Sequence, residues 1–89
     1  MTTEFRAAMC DRVIEVLGGD KALACKNDEL SDEVWTDLEK DLKRQLGISS
    51  LDYLGVENPM EVKAIISKYE LPLYLCKKVD EFNKGVTNT

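Results

Sequence analysis

Leu30, Val34, Leu38, Leu42 and Leu46 recur every four residues through NDELSDEVWTDLEKDLKRQLGI, the stretch from Asn27 to Ile48, with the single tryptophan, Trp35, beside the row. A four-residue step overshoots one helical turn by about 40°, so the row drifts slowly while staying on one broad face. Gly47 supplies the residue that commonly closes a helix in the left-handed conformation. Lys43 and Arg44 stand in the last turn, where cations suit the helix dipole. The start is expected between Asn27 and Ser31, with Ser31 the favoured cap because Asp32 and Glu33 then fill the first turn. Leu30 would precede that cap and staple against Trp35. This is the central helix, and the rest of the chain needs its apolar face.

The other elements follow from similar signals. Thr2 or Thr3 can cap a first helix whose stripe is Phe5, Met9, Val13, Val16 and Leu17, widened by Ala8, Cys10 and Ile14 and ended by Gly18-Gly19. Asp20 can cap a short second helix, KALACK, which Asn27 could terminate. Ser49 or Ser50 is expected to cap another short one, LDYL, closed by Gly55. Asn58-Pro59-Met60-Glu61 offers an asparagine cap, proline at the first helical position and glutamate at the third. Val62, Ile65, Ile66 and Tyr69 then give the i, i+3, i+4, i+7 pattern. Pro72 biases Leu71 away from helical geometry, so that helix should stop near Glu70. A last helix from Pro72 or Leu73 carries Leu75, Cys76, Val79 and Phe82 and ends at Gly85. No strand-length alternation, internal repeat or low-complexity linker is present. The expectation is an all-α single domain over residues 1–89, a compact orthogonal bundle of about four main helices and two short ones with a frayed tail at 85–89.

Composition narrows the chemistry. The 89 residues contain no histidine, which removes the usual general base and the commonest metal ligand. Cys10, Cys25 and Cys76 lie among apolar neighbours and are expected to be buried reduced thiols. Scattered cysteines without histidine do not make a tetrahedral zinc site. No catalytic, metal or cofactor site is therefore expected, and the chain reads as non-enzymatic. No apolar run approaches a membrane span, and MTTEFRAAMCDRV lacks the apolar core of a signal peptide, so a cytoplasmic setting is expected.

Net charge is −5, with the excess concentrated on the central helix. Asp28, Asp32, Glu33, Asp37, Glu39 and Asp41 could dock a basic surface on another protein, or imitate a phosphate backbone as inhibitors of nucleic-acid enzymes do. A solvated face that keeps the chain soluble would carry the same acids. Tyr53 and Tyr74 are the aromatics expected to be exposed at such an interface. The leading expectation is a small acidic protein-binding module: an adaptor, a small complex subunit or a phage-type inhibitor.

Two other readings stand beside it. The segment Leu46-Gly47-Ile48-Ser49-Ser50-Leu51 resembles the site motif of acyl and peptidyl carrier proteins. That resemblance implies a phosphopantetheine carried on Ser50, although Ser49 stands where those proteins have aspartate. The final helix pair resembles helix-turn-helix or SAP-type modules, which implies nucleic-acid contacts from Lys63, Lys68, Lys77, Lys78 and Lys84. No arginine there can read guanine, and the turn lacks glycine.

Overall fold

The structure, a computed structural model, describes residues 3–51 and 59–84. Four α-helices follow in order: α1 (Thr3–Leu17), α2 (Asp28–Leu46), α3 (Pro59–Lys68) and α4 (Leu73–Lys84). A single turn of 3-10 helix, Ala24–Lys26, joins α1 to α2. No strand occurs among the described residues, so the fold is all-α. The short helix expected at LDYL falls, from Asp52 on, outside the described residues. The same holds for the cap at Asn58, for Thr2 and for Gly85 with its tail.

The core forms where the predicted stripes meet. Phe5, Met9, Val13 and Leu17 from α1, Leu30, Val34, Leu38 and Leu42 from α2, Val62 and Ile66 from α3, and Leu75 and Val79 from α4 bury together with Ala24 and Tyr69. Trp35, Leu46, Ile48 and Phe82 pack against this cluster half-buried. Each fully buried aliphatic side chain contributes about 1.5–3 kcal/mol before chain entropy opposes it. α1 bears on both α2 and α3, while the 3-10 turn wedges between α2, α4 and α1.

Four local expectations need correction. Asn27, not Ser31, caps α2: Asn27 Oδ1 accepts from the Leu30 N–H at 2.8 Å, and Ser31 already lies inside the helix with its hydroxyl donating to Cys25 O at 3.4 Å. Starting earlier satisfies one more orphan donor and brings Leu30 into the helix as a core residue, so Leu30 is no staple outside it. KALACK does not form an α-helix capped by Asp20. The 3-10 turn begins after Leu23, with no side-chain cap, because six residues cannot sustain a helix without packing along their length. α3 ends at Lys68, two residues before Glu70, because Tyr69 drops into the core and its N–H bonds to Ile66 O. Cys10 and Cys76 are exposed and only Cys25 packs against the core, so the thiols are free but two of the three are not buried.

Gly47 behaves as expected. It adopts φ 66°, its N–H bonds to Lys43 O, and the N–H of Ile48 returns to the same carbonyl at 3.1 Å. Ile48 is thereby turned back onto the core.

Candidate functional site

α2 has one face in the core and the opposite flank loaded with acids, and α4 runs beside that flank. Tyr69, just before α4, touches Asp37. Lys78, near its middle, touches Glu33. Asn83, near its end, reaches the 3-10 turn that precedes α2. The two helices therefore lie antiparallel, and the seam between them is open to solvent.

Three adjoining grooves line this seam. The first holds Asp37, Lys40, Asp41, Arg44, Tyr69, Glu70 and Pro72. The second holds Asp32, Glu33, Thr36, Asp37, Lys40 and Tyr74. The third holds Asn27, Glu29, Leu30, Glu33, Lys78, Glu81 and Phe82. Asp37 and Lys40 are shared by the first pair, and Glu33 by the second and third. Together they make a furrow that follows α2 for about 25 Å at 1.5 Å per residue. Seven carboxylates line it against the three bases Lys40, Arg44 and Lys78, so its potential is negative.

Asp32, Glu33, Asp37, Asp41 and Tyr74 thus lie along one seam. Asp28 and Glu39 line none of these grooves. Tyr74 is 58% exposed beside the acids, and Leu73 before it is 72% exposed. Tyr53 lies outside the described residues. Glu29, one of the acids clustered on α2, lines the third groove, whereas Glu70 and Glu81 were not singled out from sequence, since only the antiparallel placement of α4 brings them to the seam.

The furrow is held by contacts from α1 and α4. Tyr69 is buried, and its hydroxyl donates to Asp37 Oδ2 at 2.7 Å. Burial pushes the pKa of this phenol well above its ordinary value of 10.0, and the hydrogen bond and charge of Asp37 add to the rise. Arg12 Nε donates to the Tyr69 carbonyl at 2.9 Å, and its Nη2 donates to the same oxygen. At the other end, Asn83 Nδ2 donates to Leu17 O at 2.8 Å and Asn83 Oδ1 accepts from the Ala24 N–H at 3.0 Å. Neither Arg12 nor Asn83 carries a signal in the sequence, because both act on backbone atoms remote in the chain.

The lysines of the final helix pair are largely engaged by acids of the same chain. Lys63 pairs with Glu4, Lys78 with Glu33 and Lys84 with Asp80. Lys68 and Lys77 make no ion pair among the described residues. Ser49 is exposed and Ser50 half-buried. Among the described residues no group of three or more acids or thiols is placed to hold a metal, and no helix is long and apolar enough to cross a membrane.

Fold and furrow define a small all-α domain with an acidic seam between two antiparallel helices. The sequence pattern of the ORF6C domain matches residues 2–79, and the chain belongs to the ORF6C domain family. No curated protein and no solved structure matches it.

Proposed function

We propose that this ORF6C domain is a non-enzymatic protein-binding module that takes a basic segment of another protein into the α2–α4 furrow. One observation carries the reading: Asp32, Glu33, Asp37 and Asp41 line a single seam in which Tyr74 stands exposed. Carboxylates arranged this way steer a basic partner and set its register, while an exposed aromatic supplies the contact area that charge alone does not.

The test is affinity capture with the wild-type chain and with Asp32→Lys/Asp41→Lys. Asp37 is left intact because it also holds Tyr69. A partner captured at low salt by the wild type should be lost by the variant, and lost by the wild type near 1 M salt, where screening reaches within about 3 Å. A partner retained by the variant and indifferent to salt would exclude docking through the furrow.

A further inference from the structure

We infer that Lys78 is an internal occupant of the furrow, seated where a basic side chain of the docked partner goes. This rests on the acidic-docking reading above and adds a self-contact that the partner must displace. Lys78 Nζ donates to both carboxylate oxygens of Glu33, at 3.1 and 3.4 Å. Glu33 belongs to two of the three grooves, and Lys78 lines the third beside it, so this ammonium occupies a carboxylate that both grooves share. It is a cation already bound on the acidic face, supplied by the chain itself.

Geometry favours exchange. Lys78 lies four residues after Tyr74, so both point from the same face of α4 toward the seam. A partner's ammonium or guanidinium in Lys78's place keeps the charge-assisted contact to Glu33, which shares its other groove with Tyr74. The side chains of Lys78 and Glu33 are 50% and 44% exposed, so water screens their attraction and the pair opens easily. While it is closed, the competent state is only part of the population, and apparent affinity falls by that fraction.

Lys77 provides the control: it has the same charge on the same helix and makes no ion pair among the described residues. The experiment measures binding of a fluorescent hexa-arginine peptide at low ionic strength to the wild type, Lys77→Gln and Lys78→Gln. Both variants gain from the lost positive charge. Lys78→Gln should gain a further factor of about two to five, the range expected for releasing an exposed ion pair. In a Glu33→Gln background that further gain should vanish, because the contact being released is no longer there. Equal binding by Lys77→Gln and Lys78→Gln overturns the internal-occupant role and leaves acidic docking standing. Failure of all three proteins to bind the peptide overturns both. Circular dichroism of each variant confirms that these surface substitutions leave the helices intact.

Discussion

Tyr69 donates its hydroxyl hydrogen to Asp37 across 2.7 Å, so a residue from the α3–α4 junction is fastened to the acidic flank of α2 by one of that flank's own acids. Arg12 of α1 holds the carbonyl of the same tyrosine. Three helices thus converge on one residue, and its position sets how α4 enters the seam. Asp37 consequently serves the fold as well as the furrow, unlike Asp32.

Replacing Tyr69 with phenylalanine keeps the buried ring and removes the bond to Asp37. The expected loss is about 0.5–1.5 kcal/mol, because the half-buried carboxylate recovers some solvation. Urea unfolding at neutral pH measures it. A loss of more than about 3 kcal/mol would mean that the ring itself had moved.

The same pair shapes stability at high pH. Tyr69 binds its proton more tightly folded than unfolded, since its folded pKa is raised above 10.0. The stabilisation is therefore fully present below pH 10 and is lost as pH rises through the folded value. Above pH 10 the unfolded chain releases this proton first, and wild-type stability should fall about 1.4 kcal/mol per pH unit more steeply than that of Tyr69→Phe. Parallel denaturation series from pH 9 to 11 would show the divergence; parallel curves would place Tyr69 in water.

Asn83 bridges the end of α1 to the 3-10 turn. Asn83→Ala leaves the Leu17 carbonyl and the Ala24 N–H without this partner and should cost about 1–3 kcal/mol. Gly18→Ala should also destabilise the fold, since its φ of 110° disfavours a side chain and a Cβ would come within 2.8 Å of Asn83 Nδ2. Thermal denaturation of both variants checks the pair.

At the start of α2, Asn27→Ala should cost about 1 kcal/mol through loss of the cap, and Ser31→Ala measurably less. Chemical denaturation decides between the two residues. The reverse order would restore Ser31 as the cap.

Two thiols should react quickly with a bulky reagent under native conditions and one slowly. Cys10 and Cys76 are exposed, whereas Cys25 packs against the core. Intact mass against time resolves the steps.

Periodicity made most of the fold legible. Of the α2 row, Leu30, Val34, Leu38 and Leu42 are buried and Leu46 partly so; Phe5, Met9, Val13 and Leu17 of the α1 stripe and Val62, Ile66 and Tyr69 of the α3 stripe are buried, with Val16 and Ile65 at the edge. Ends were less legible, because a cap depends on competition among adjacent polar residues. Asn27 outbid Ser31 by serving both sides of one junction: its N–H closes the 3-10 turn on Ala24 O and its side chain opens α2. Cys76 looked apolar beside Leu75, yet a helix that packs on one side leaves the next residue in solvent.

By itself the sequence determined the helices, their buried faces, the closing glycine at Gly47 and the acids along α2. These depend on residues within a few turns of one another, and helical periodicity carries such information locally. Tertiary structure alone decided that α4 lies antiparallel to α2, that Glu70 and Glu81 join the acids of α2 across the seam, and that Lys78 rests on Glu33. It also decided that Arg12 and Asn83 hold backbone atoms 57 to 66 residues away. Contacts at that separation arise only once the core has packed, because packing sets the angle at which one helix meets the next.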